Sequence, residues 1–164
     1  MLHPNTRIAR LAFGLLLFSH TLLAQDTPEE DIIITADTAQ FHQEEGWGIY
    51  RGNAELEQGQ RHMEADYIKL YVDKEGELKR VEAEGKPAKL RDGEEIHAQA
   101  EFMRYDVKND TITLTKNAYI NNDGRTFEGA TVVYHLSTRS VEADGGETGE
   151  RVRLVIPADK KGDK

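Results

Sequence analysis

The chain has 164 residues, with 30 Asp and Glu against 21 Lys and Arg, a formal charge of −9, and no cysteine. That length suits one domain with a real core. A cysteine-free composition excludes a disulfide framework and thiol chemistry, and the acidic balance argues against nucleic acid or an anionic membrane surface as a partner.

Residues 1–24 differ in kind from the rest. Arg7 and Arg10 precede the apolar run LAFGLLLFSHTLLA, and the polar QDTPEED follows. A basic start, a short apolar run and a small residue before a polar stretch describe a secretory signal peptide, with cleavage expected after Ala24. The run is short for a membrane-spanning helix, and no Cys follows it for lipid attachment. The alternative is a retained N-terminal anchor. Cleavage would take the basic count from 21 to 19, against 30 acidic residues, and the charge from −9 to −11.

From residue 25 to 158, read as one domain, no apolar residues recur at helical spacing. Short alternating segments are separated by turn residues, including Gln58-Gly59, Asp92-Gly93, Asn109-Asp110 and Asn122-Asp123-Gly124. Such punctuation predicts many short strands in an all-β sandwich, jellyroll or open barrel. The phrases ITADTAQF, MEADYIKLYV, HAQAEFMRYDV and EGATVVYHL align on Ala36, Ala65, Ala100 and Ala130, placed 29, 35 and 30 residues apart. A period near 30 containing two strands predicts stacked antiparallel hairpins, none able to bury its own face alone.

The intervening phrases share a second pattern. In VEAEGKPAKL, the apolar phase moves from Val81 and Ala83 to Ala88 and Leu90 across Gly85-Lys86-Pro87. A phase change along a strand requires a bulge or corner, and Gly and Pro mark such places. IYRGNAEL is read the same way, with Ile49 and then Ala54 and Leu56 inward of a bend at Gly52. In ITLTKNAYI, Ile112, Leu114, Ala118 and Ile120 keep one phase, so a straighter strand is expected at Lys116. The C-terminal tail 159–164 is charged.

No catalytic constellation is visible, and no enzyme activity, metal or cofactor is expected. His42, His62, His97 and His135 are isolated, without metal-ligand spacing; NNDGR at 121–125 reads as a hairpin turn rather than a calcium loop. What remains is the apolar face: Ile32, Ile34, Phe41, Leu56, Ile68, Leu70, Val72, Leu90, Met103, Tyr105, Val107, Leu114, Ile120 and Val133. It is either an ordinary core or a groove for something apolar. The β-branched stretch 31–35 and the stretch RVRLVIP at 151–157 are the expected edges of the stack, and open edges are templates for another chain.

IIITAD, GNAEL, MEADYIKLYV, VEAEGKPAKL, AQAEFMRYDVKNDTITLTKNAYI, FEGATVVYH and RVRLVIP, in this order over residues 31–157, resemble the OstA-like domain family of lipopolysaccharide transport proteins, to which LptA belongs. The resemblance implies a periplasmic β-jellyroll with an apolar interior groove that carries lipopolysaccharide. It implies head-to-tail stacking into a bridge from LptC at the inner membrane to the N-terminal domain of LptD at the outer membrane. Matched motifs put lipid contacts at Ile32, Ile34, Leu90, Tyr105 and Val107. With the face derived from alternation, the candidate lipid contacts are these five and Phe41, Ile68, Leu70, Met103, Leu114 and Ile120. The candidate pairing edges are Ile32, Ile33 and Ile34 at one end and Arg153, Leu154, Val155 and Ile156 at the other. A membrane-anchored LptC-like member of the same pathway, and a periplasmic β-sandwich enzyme or carbohydrate-binding module, are the alternatives.

Overall fold

The computed structural model describes residues 30–147 and 149–158. The expected leader at 1–24 and charged tail at 159–164 lie outside the described residues. Within these, the chain forms ten strands and no helix: β1 (Ile32–Thr35), β2 (Thr38–His42), β3 (Trp47–Gln58), β4 (Arg61–Val72), β5 (Leu78–Asp92), β6 (Ile96–Asp106), β7 (Thr111–Asn122), β8 (Arg125–His135), β9 (Ser140–Asp144) and β10 (Arg153–Val155). All belong to one antiparallel sheet in the order β1-β3-β4-β5-β6-β7-β8-β10, with β2 also on β3 and β9 also on β8. The fold class is the all-β stack of hairpins expected from the repeat.

The six long strands are each interrupted near the middle. Register shifts fall between Arg51 and Ala54, Glu64 and Tyr67, Glu84 and Ala88, Gln99 and Phe102, and Thr115 and Ala118. These shifts lie side by side across the sheet and form a crease. Small residues line it: Ala54 opposes Ala65, Ala88 opposes Ala100, and Ala118 opposes Gly129. The crease folds the sheet onto itself and divides it into two layers. The first holds β2, β9 and the adjoining halves of β3 to β8; the second holds β1, β10 and the other halves. Thus β1 and β2 amount to one strand broken at the crease, and so do β9 and β10.

Two crease positions demand glycine. A Cβ at Gly85 would lie 2.7 Å from the backbone nitrogen of Ala88, and one at Gly129 would lie 2.8 Å from the carbonyl oxygen of Asp144. Both neighbours are backbone and cannot rotate away.

The bend at Gly85 matches the expected phase change, with Val81, Ala83, Ala88 and Leu90 all buried. Three other expectations are corrected. β7 does not run straight at Lys116: Lys116 and Asn117 both adopt positive φ (63° and 53°) and form a bulge. This bulge leaves the side-chain phase unchanged, so alternation could not reveal it. Ile49 faces outward opposite Lys69, while Gly48 and Tyr50 take the inward positions. On β8 the inward residues are Val132 and Tyr134, and Val133 is outward. Gly129, rather than Ala130, is the counterpart of Ala65 and Ala100, so the fourth repeat begins one residue earlier than the alanine alignment predicts.

Candidate functional site

The inner faces of the two layers are built from cross-strand rows, because residues paired directly across antiparallel strands share a face. In the first layer, Tyr50, Ile68, Ala83, Met103, Leu114 and Val132 form one row. In the second, Ile34, Leu56, Met63, Leu90, Ala98, Ile120 and Phe127 form another, and Leu154 extends it. The two rows run the length of the sheet on either side of the crease and pack into one apolar cluster. Because the sheet's own backbone hydrogen bonds run along each layer, the layers are held to one another by side chains.

The candidate contacts fall into three groups. Ile68, Leu70, Leu90, Met103, Leu114 and Ile120 are buried in the inner cluster. Ile32, Ile34 and Tyr105 are partly buried and pack against it. Phe41 and Val107 stand apart. Phe41 continues an inner row, opposite Gly48, but lies on an edge strand and is 55% exposed. Val107 lies in the turn after β6, where its N–H donates to the Lys79 carbonyl at 3.2 Å.

Toward the free ends of the layers the two walls differ. The first layer ends in Leu70, Val81, Tyr105, Ile112 and Tyr134. The second ends in Gln58, Arg61, Asp92, Ile96, Asn122 and Arg125. Arg61 keeps the phase of the buried Met63 and so faces inward. Its Nη1 donates to Gln58 Oε1 at 3.3 Å, Nη2 stands 3.5 Å from Asp92 Oδ2, and the guanidinium lies 5.0 Å from the centroid of the Tyr105 ring in the opposite layer. Burial first, and then the charge of Asp92, pushes the Tyr134 phenol above its usual pKa. Nearby, Arg139 Nη1 donates to Glu95 Oε2 at 2.8 Å, and Asn122 Nδ2 donates to the Arg139 carbonyl at 3.1 Å. These contacts tie the ends of the two layers together beside a cleft of about 320 Å³ lined by Gln60, Asp92, Tyr134 and Arg139.

The sequence reading missed Arg61, Asp92 and Tyr134. Phase was the available signal: Arg61 and Met63 share a parity, as do Leu90 and Asp92. A charged residue at the end of a strand nevertheless reads as solvent-facing.

The outer wall of the first layer is solvated and charged. Lys69 sits 4.7 Å from the Tyr71 ring centroid and 5.2 Å from that of Trp47, and Arg80 lies 3.9 Å from Tyr71. His42 stacks on Trp47 at 3.7 Å, and on the outer wall of the second layer His62 lies between Glu57 and Glu64.

The predicted edges are strands. β1 carries Ile32, Ile33 and Ile34, with Ile33 outward and 57% exposed. β10 carries Arg153, Leu154 and Val155; Ile156 follows it, and Leu154 and Ile156 are 48% and 66% exposed. Among the described residues, each edge strand pairs on one side only.

Comparison with known proteins assigns a family to this architecture. Residues 33–140 match the family described as LptA/(LptD N-terminal domain) LPS transport protein. The lipopolysaccharide export system protein LptH of Pseudomonas aeruginosa is 30% identical over 155 residues, covering 90% of this chain and 88% of the relative. The lipopolysaccharide export system protein LptA of Haemophilus influenzae is 24% identical over 160 residues, covering 94% and 93%. The crystal structure of LptH, the LptA homologous periplasmic component of the lipopolysaccharide transport device of P. aeruginosa, superposes with a TM-score of 0.71 at 26% identity, covering 79% of this chain and 96% of that one.

Proposed function

Since the chain belongs to the LptA/(LptD N-terminal domain) family of LPS transport proteins, we propose that it is a periplasmic carrier, holding the acyl chains of lipopolysaccharide between its two layers and passing the lipid toward the outer membrane. The observation that carries this reading is the pair of apolar rows flanking the crease from one end of the sheet to the other. Each acyl methylene removed from water is worth about 0.8 kcal/mol, so several chains require a long dry surface rather than one deep pocket. A row of similar residues also supplies successive sites of similar affinity, which transfer demands. The strands join the layers at the crease, and beyond it side-chain contacts hold the layers together, so acyl chains can replace those contacts without breaking the backbone ladder.

The bridge is extended by stacking. Counting directions along the sheet, β10 and β1 run opposite ways, as do β9 and β2. A second copy placed head to tail would therefore continue the antiparallel pairing in both layers at once. Ile33, Leu154 and Ile156, all exposed, lie on the surfaces this junction involves. Edges of the same kind suit the partner jellyrolls that the resemblance implies, LptC at the inner membrane and the N-terminal domain of LptD at the outer.

A photo-crosslinking residue tests the carrier reading. Placed at Ile34 or Tyr105 it is expected to capture lipopolysaccharide, and placed at the outward Lys69 it is not. Equal capture at all three positions would sink the reading. Sedimentation over a range of protein concentrations tests the stacking: assemblies should grow with concentration, and Ile156→Asp, just past β10 and 66% exposed, should abolish the growth while leaving the melting temperature of the dilute monomer unchanged.

A further inference from the structure

We propose that Arg61 is a binding site for an anionic group on the head of the carried lipid, a phosphate on its sugar, at the polar rim of the second layer. This rests on the carrier reading above and adds to it a residue that reads the head group.

Arg61 is unusual among inward residues. It is a cation on the inner face, two positions from Met63, which is fully buried. Its side chain is only 17% exposed, and its Nε is buried with no hydrogen-bond partner among the described residues. Buried donors are nearly always partnered, so an idle one beside the apolar cluster between the layers is a place for a ligand acceptor. The guanidinium is already aimed, held by Gln58 on one side and Asp92 on the other and resting against Tyr105. A planar fork of donors matches the oxygens of a phosphate in a way that an ammonium does not.

The position matches the shape of such a lipid. Acyl chains lie along the apolar rows nearer the crease, and the head emerges where the walls turn polar. Gln58 flanks Arg61 directly, and Asn122 and Arg125 continue the same rim. Gln58, Asn122 and Arg125 supply further donors for sugar hydroxyls and phosphate. Asp92 is the opposing element. Its carboxylate competes with an incoming phosphate for Arg61, which tempers affinity and lets the lipid move on.

The test uses lipid A with two phosphates, monophosphoryl lipid A, and the signal-cleaved protein. The native protein should bind the diphosphorylated lipid about tenfold more tightly than the monophosphorylated one. Arg61→Met should remove this preference and leave affinity for the monophosphorylated lipid within about twofold. Asp92→Asn should enlarge the preference several-fold, a gain that misfolding cannot produce. Arg91→Gln, at an exposed outward position, should change nothing. Arg61→Met with the preference intact, or Asp92→Asn with a diminished one, overturns the proposal. If the native protein binds both lipids alike, the head-group site fails and the carrier reading stands. If it binds neither, the carrier reading fails and takes this site with it.

Discussion

The two layers are made from the same six long strands, yet they present different walls. Near the crease both are apolar and interchangeable: Leu114 floors one and Ile120 the other, each with no exposed surface. At the free ends they diverge. The first layer ends in Tyr105, Ile112 and Tyr134, the second in Gln58, Arg61, Asp92 and Asn122. A strand that crosses a crease can thus serve two chemistries, because its halves lie in different layers and only the face, not the composition, is shared. The floor suits acyl chains and the polar rim suits what those chains are attached to.

The floors should behave alike. Leu114→Ala and Ile120→Ala each remove a fully buried side chain and are expected to cost 2–5 kcal/mol, or about that, by urea unfolding. A cost under about 1 kcal/mol at one site and not the other would show that only one layer is tightly packed. The crease comes next. Gly85→Ala drives a methyl group against the Ala88 backbone and should cost about 1–3 kcal/mol, read in the same unfolding experiment. An unchanged midpoint would mean that the bulge relaxes freely.

A smaller effect separates the crease bulges from one another. Lys116 holds φ at 63° without being glycine. Lys116→Gly relieves that conformation and should stabilise the protein by about 1 kcal/mol, less the added freedom of the unfolded chain. A loss of stability would show that the Lys116 side chain is needed at the crease.

The smallest effect concerns a turn of the first layer. Asp106 is held below the usual carboxylate pKa, chiefly by the N–H of Asn109, with further help from the Asn109 side chain. A depressed carboxylate contributes stability that is complete above its unfolded pKa, about 3.8, and is lost as pH falls through the folded value. Asp106→Asn should therefore flatten the stability profile below about pH 4 and leave its shape above pH 5 unchanged. An acid limb of unaltered slope would remove Asp106 from this role.

Much of this was legible in the residues. Turn residues at short intervals and a 30-residue repeat specify stacked antiparallel hairpins, since no single hairpin can bury its apolar face. Alternation then places Ile68, Leu70, Leu90, Met103, Leu114 and Ile120 inside, and the phase change across Gly85-Lys86-Pro87 marks a bend. Only the folded sheet decided the rest. Alternation sees a bulge when it changes side-chain phase, so the crease at Lys116-Asn117, which restores the phase, was invisible. A one-residue error in repeat alignment exchanges the two faces of a strand, which is why Val133 was expected where Val132 lies. Sequence spacing also carries no information about contact between layers. Arg61 reaches Tyr105, and Arg139 reaches Glu95 across 44 positions of chain, because the crease brings the ends of both layers together. Local alternation fixes which way a side chain points, but the angle of the fold determines what it meets.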